Sequence, residues 1–325
     1  MLHFLEAAMR EAVQLGWHRW MKCLRLPAFL GVTLAPLCGL ASSSDGPVCN
    51  RPASDVHGAW ESADGGARLL FADGQIVIRR NGRIKVATVL RSEGCSLLVR
   101  YQGLRAHWTL SAAAGEVILK ADETFSLHKL TGSSPDLGIG PVALPAPAPV
   151  PPDKAKGIEQ QLLDRARKDQ DAIRDPQLRP KRDEVLADNI RFLRELTQRV
   201  GWIDIPRFGK ESASAAVLIV KHASDLPLMR AALPIFELDV KEHGGSGEMF
   251  SVLFDELEIT LGRRQRYGTQ FELDAEGRPF VLPLEEPDKV DEYRKELGIL
   301  SFKEYLNLVS KDLGGVTVRV AGNDE

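Results

Sequence analysis

Seven prolines fall between Pro135 and Pro152, alternating with alanine from Pro145 to Pro149. Each lacks a backbone N–H and fixes φ near −65°, so the stretch builds neither helix nor sheet and favours extended polyproline geometry. It splits the chain of 325 residues into two parts with different hydrophobic periods. The expectation is two domains joined by a semi-rigid spacer over residues 131–156, spanning roughly 40–60 Å at about 3 Å per residue.

Residues 50–130 alternate with a period of two. Short apolar-polar runs cover Val56–Glu61, Ala67–Phe71, Gln75–Arg80, Arg83–Leu90, Ser96–Tyr101, Ala106–Leu110, Glu116–Lys120 and Thr124–Leu130. Asp73-Gly74, Asn81-Gly82 and Glu93-Gly94 separate them, and such pairs suit hairpin turns because both positions need positive φ. Eight short strands predict a small antiparallel barrel or a sandwich. Gly58-Ala59-Trp60 resembles the Gly-x-Trp opening of lipocalin-like barrels over a single strand. Trp60 and Trp108 are expected to plug the core.

Residues 157–325 follow a helical period. Runs at Gly157–Arg174, Lys181–Val200, Leu228–Glu242, Glu248–Leu261, Asp288–Leu297 and Phe302–Lys311 carry apolar stripes, and Ser212–Ala223 is apolar on nearly every side, as a buried central helix is. Tyr267–Leu273 and Arg278–Leu284 flank Asp274-Ala275-Glu276-Gly277, a hairpin signature. The fold class is multidomain α+β: an antiparallel β domain, a proline-rich linker and a mainly α-helical domain with one hairpin.

Upstream of both, Met21-Lys22 opens a segment with Lys22 and Arg25, an apolar run from Leu26 to Leu40, and Gly39-Leu40-Ala41. This is the layout of a secretory signal over residues 1–41, with Met21 the expected start of translation. Pro27 and Pro36 interrupt a run of only about 15 residues, too short to span a membrane. Ala35-Pro36-Leu37 before Cys38 is a poor match to a lipoprotein processing site. Cleavage leaves Cys49 and Cys95, expected as a disulfide in an oxidising compartment and contributing about 2–4 kcal/mol. The formal net charge of −3 gives no bulk attraction to nucleic acid or anionic lipid.

The candidate site lies between the last long helix and the hairpin. Gly262-Arg263-Arg264-Gln265-Arg266-Tyr267-Gly268-Thr269-Gln270 has more hydrogen-bonding capacity than a turn requires. Arg263, Arg266, Gln265, Tyr267, Thr269 and Gln270 are candidate ligand-binding residues. Asp255, inside an apolar stripe, either pairs with one of the arginines to lock the helix end or holds an arginine ready for an anion. His222 closes the central helix. It either caps the last carbonyls or acts as a general base oriented by Asp225. Asp188-Asn189 faces a cleft or solvent, and Gly201-Trp202 stops a helix and seals the core. There is no nucleophile elbow, phosphate-binding loop or zinc-protease motif. The spacing of His222, Asp225 and Asp255 carries no metal signature, and no cofactor is implied.

With these residues assembled, the second domain resembles an uncharacterised bacterial family, domain of unknown function 6624, from about Asp188 to Tyr305. The likeness rests on Asp188-Asn189, Gly201-Trp202, Gly209 with Ser212-Ala213, His222-Ala223-x-Asp225, Asp255, Gly262, Gln265, Tyr267-Gly268-Thr269-Gln270, Asp291 to Arg294, Gly298 and Tyr305. Two positions depart from the family's usual pattern: Lys221 stands where glutamine precedes the His-Ala pair, and Glu256 where arginine follows the aspartate. The resemblance implies a helical domain with a polar cluster and no established activity. The functional expectation is an exported binding or interaction module of the cell envelope. The alternative is an extracytoplasmic hydrolase or transferase with His222 as general base, Asp225 as its orienter and Gln265, Tyr267 or Gln270 as transition-state donors.

Overall fold

A computed structural model describes residues 56–80, 83–113, 116–121, 124–130, 139–175, 177–274 and 276–322. The expected signal segment, Cys38, Cys49 and the Asn81-Gly82 turn lie outside them.

The first part is a closed eight-stranded antiparallel barrel, which decides between barrel and sandwich. Its strands are β1 (Gly58–Ser62), β2 (Ala67–Ala72), β3 (Gln75–Arg80), β4 (Arg83–Glu93), β5 (Ser96–Tyr101), β6 (Leu104–Ala113), β7 (Glu116–Lys120) and β8 (Thr124–Lys129). Each pairs with the next, and β8 returns to β1. Alternation sends Trp60, Leu69, Ile76, Val99, Trp108, Leu119 and Leu127 into one buried cluster. The two tryptophans lie in the buried cluster inside the barrel, as expected. Strand β3 breaks the alternation with Ile76-Val77-Ile78, all three buried. Val77 points outward, in register with Leu70 on β2 and Val86 on β4. With Ile84 these residues join the core of the second part, so a patch of the barrel's outer face around β2–β4 is covered.

The second part contains α1 (Pro152–Arg174), α2 (Arg182–Val200), α3 (Ile205–His222), α4 (Leu226–His243), α5 (Gly247–Thr260), α6 (Val290–Glu296) and α7 (Phe302–Asp312). Helix α1 begins inside the stretch read as linker, because Pro152 occupies its first turn, where the missing N–H costs nothing. Helix α3 is the buried centre: Ala213, Ala215, Ala216, Val217, Ile219 and Val220 are all enclosed. It also starts earlier than expected, across a kink at Gly209. The expected hairpin contracts to β9 (Phe271–Leu273) and β10 (Pro279–Val281), and β11 (Arg319–Val320) adds to β10 in parallel. No helix among the described residues is long and apolar enough to cross a membrane.

Residues 139–151 form neither helix nor strand, as expected, but they do not hold the domains apart. The Val142 N–H donates to the Pro227 carbonyl at 3.1 Å. Gln198 Nε2 donates to the Ala143 carbonyl at 3.2 Å, Arg207 to Ala148 at 3.2 Å, and Arg230 to Ile139. Ile139, Val142, Leu144 and Val150 pack on the helical core. The barrel docks as well: the backbone at Gly262, just past α5, lies so close to the Val86 carbonyl that a side chain there would overlap it. Gly103, between β5 and β6, lies against Ile259 and Pro283. The spacer reading is thus corrected, because aliphatic side chains and accepting carbonyls within the proline run give it a surface to bind.

Candidate functional site

The stretch after α5 folds around Asp255. That side chain is fully buried, on the inward face of α5. Oδ1 accepts the N–H groups of Arg266 at 2.8 Å and Tyr267 at 3.1 Å. Oδ2 accepts the N–H and the hydroxyl of Thr269, each at 2.9 Å. Positive φ at Gly268 (75°) curls the loop so that these donors converge, and a side chain at 268 would overlap the Phe302 ring. Asp255 therefore locks the loop to the helix, as its structural reading expected, but through backbone amides rather than an arginine side chain. Burial raises the Asp255 pKa to about 6, against the opposing pull of its four donors.

Gln265 is equally enclosed, at 0% exposure. Its amide donates to the carbonyls of Gln270 at 3.0 Å and Leu282 at 2.7 Å, and its side-chain oxygen accepts the Gln270 N–H at 2.8 Å. The side chain thus ties the loop to Leu282, just past the end of β10. Gln270 Nε2 donates to the Val252 carbonyl and the Thr269 hydroxyl. Tyr267 is buried edge-on to Phe250, Phe254 and Tyr293, and burial pushes its phenol up to about 12. Arg294, 3% exposed, donates to the Tyr267 and Leu300 carbonyls at 2.6 Å each; burial lowers its pKa. Residues 267–270 are therefore not part of the hairpin arm expected over Tyr267–Leu273, which begins only at Phe271. Their amides serve Asp255 and Gln265.

The two remaining candidates lie on the surface. Arg263 pairs with Glu258 at 2.6 Å. Arg266 bonds Glu285 at 3.0 Å and stacks over the rings of Phe254 and Tyr293.

His222 has a different partner from either one expected. Its Nδ1 lies 2.5 Å from Asp169 Oδ2, and both side chains are 0% exposed. The pair bridges α1 and α3, and the second oxygen of Asp169 finds no donor among the described residues. Asp225 instead caps α4 through the Leu228 N–H and takes a two-pronged contact from Arg194 at 2.6 and 2.8 Å. The proposed orienter is thus committed elsewhere. Asp169 was missed in the sequence, although it falls on the buried stripe of Leu162, Ala166 and Ile173. Asp188 and Asn189 take Arg165 at 2.6 and 3.2 Å, tying α2 to α1. Trp202 is 1% exposed and seals the core as expected. Cys95 is described, but its expected partner Cys49 is not.

An open groove of about 500 Å³ lies elsewhere, lined by Val142, Arg194, Glu195, Thr197, Gln198, Arg199 and Leu228. None of the predicted site residues lines it. Among the described residues no group of three or more His, Cys, Asp or Glu side chains is placed to hold a metal.

A family model described as a family of unknown function (DUF6624) matches residues 154–319, from the first turn of α1 to the start of β11. Neither the curated proteins nor the solved structures contain a match. The matched region takes in just over half the chain, including the loop folded on Asp255, and the chain belongs to the DUF6624 family.

Proposed function

We propose that this chain is an exported two-domain protein that acts as a binding or interaction module of the bacterial cell envelope. The observation that carries the binding reading is the enclosure of Asp255 and of His222, the candidate general base. Asp255 is buried under four donors. His222 and Asp169 are sealed against each other between two helices. A general base must come within hydrogen-bond reach of the proton it removes, whereas an open groove beside α2, among the described residues, faces solvent and offers Arg194, Glu195, Gln198 and Arg199 for recognition. Support for export comes from the signal-like segment ending at Ala41 and from the Cys49–Cys95 pair.

Two measurements test this reading. In a hydrolase screen, the wild type and His222→Gln are expected to behave alike, with no turnover above background. Turnover in the wild type that the variant loses, with its circular dichroism unchanged, would establish the enzyme reading instead. Sequencing of the mature N-terminus is expected to start near Ser42, and a cytosolic chain beginning at Met1 would overturn export.

A further inference from the structure

The proline-rich segment and the surface beneath it point to a partner. We infer that the helical domain carries a receptor groove for an extended, proline-rich peptide, and that this chain fills the groove in cis with residues 139–151. The inference deepens the binding reading and rests on it.

The contacts have the character of peptide recognition. Three side-chain donors on the helical domain, from Gln198, Arg207 and Arg230, reach main-chain carbonyls of the segment, those of Ala143, Ala148 and Ile139. The Pro227 carbonyl receives the Val142 N–H in return. Nothing in this polar set reads a proline side chain. The prolines at 141, 145, 147 and 149 are exposed, whereas Ile139, Val142, Leu144 and Val150 face the helices. Proline therefore preorganises the backbone, and spaced aliphatic residues anchor it, which is how polyproline ligands limit their ordering cost.

The groove is built for this passage. Gly201 has φ of 80°, and a Cβ there would lie 3.0 Å from the Pro145 carbonyl oxygen and 3.7 Å from the Pro147 Cα. Arg207 is oriented before it meets the segment: it also holds Asp204 at 2.7 Å, the Val200 carbonyl at 2.5 Å and the Trp202 carbonyl at 2.6 Å. Gly201-Trp202 thus has a use beyond stopping α2. The groove also continues past the segment, with Val142 as one wall and Arg194, Thr197, Gln198 and Leu228 as the others.

The test uses the full chain with residues 139–151 replaced by a Gly/Ser sequence of equal length, and a fluorescent peptide of the native sequence from Ile139 to Pro151. By anisotropy, the replaced chain should bind the peptide at least tenfold more tightly than the wild type, whose own segment competes at an effective concentration of about 1 mM. Adding Gly201→Val or Arg207→Met to the replaced chain should weaken binding at least tenfold, and a Gly/Ser peptide should not bind. If the Gly/Ser replacement fails to fold, Val142→Ser with Leu144→Ser weakens the segment in place and serves the same assay. A folded variant that ignores the native peptide at about 1 mM, or binds the Gly/Ser peptide equally well, would overturn the inference. That failure leaves the hydrolase screen unchanged, so it is distinguishable from failure of the binding reading itself.

Discussion

At the scale of single residues, Asp255 shows why the sequence's most polar stretch is not a ligand site. Its two oxygens collect three amides and one hydroxyl, so its chemistry is spent on loop geometry. Because burial raises its pKa from 3.8 to about 6, the folded protein binds a proton there more tightly than the unfolded chain does. The resulting stability is fully present below the unfolded value and is lost as pH rises through about 6. Two units correspond to roughly 3 kcal/mol. Carbon-13 titration of the Asp255 carboxyl should give a midpoint near 6, and a midpoint below 4 would refute this account. Asp255→Ala strands the buried donors and should lower unfolding stability by about 3 kcal/mol or more, read from urea denaturation. The sequence offered Asp255 an arginine side chain as partner, whereas its partners are three backbone amides and the Thr269 hydroxyl. What it concealed was the partner's type, since backbone amides carry no residue identity and side-chain inventories count only arginines. The hairpin arm expected from Tyr267 begins late, at Phe271, for the same reason: which amides an acid claims is a tertiary fact.

Elements were more legible than contacts. Most barrel strands and long helices follow from periods of 2 and 3.6, because they bury one continuous face; β3 and α3, buried on more than one side, are the exceptions. Misplaced boundaries have local causes. Pro152 reads as linker and starts a helix, and the aliphatic side chains of 139–151 find a surface that no periodicity reveals. The tie between α1 and α3 was legible only in part. His222 was visible at the end of an apolar helix, whereas Asp169 was hidden in a run of charges despite sharing the Leu162, Ala166 and Ile173 stripe. A buried pair loses most when half of it is removed, because the survivor stays enclosed without its partner. His222→Leu and Asp169→Leu should each cost about 3–5 kcal/mol. The double replacement should cost much less than the sum of the two. A double-mutant cycle by urea unfolding checks this, and strict additivity would mean that the pair does not couple the two helices.

For the whole molecule, the question is whether barrel and helical domain are separate bodies. A proline-rich linker suggests that they are, and chains with two domains commonly melt in steps. The contacts argue otherwise. Leu70, Val77, Ile84 and Val86 on the barrel share a core with the helices, Leu104 packs with Ile259, Phe280 and Leu282, and the segment between the domains is itself bound down. The family match begins at residue 154, so the barrel lies outside the matched region, and it covers an apolar face of the helical part. Gly262 sits at the seam. It has φ of 71° and no room for a side chain beneath the Val86 carbonyl. Gly262→Ala therefore brings both an unfavourable left-handed conformation, about 1–2 kcal/mol, and a collision between the two parts that neither can relieve alone. Calorimetry should show one transition for the wild type. It should show two for Gly262→Ala, with the barrel's own cluster around Trp60 and Trp108 melting apart from the helices. Two well-separated transitions already present in the wild type would mean that the shared face contributes little, and that the barrel folds independently of the domain it covers.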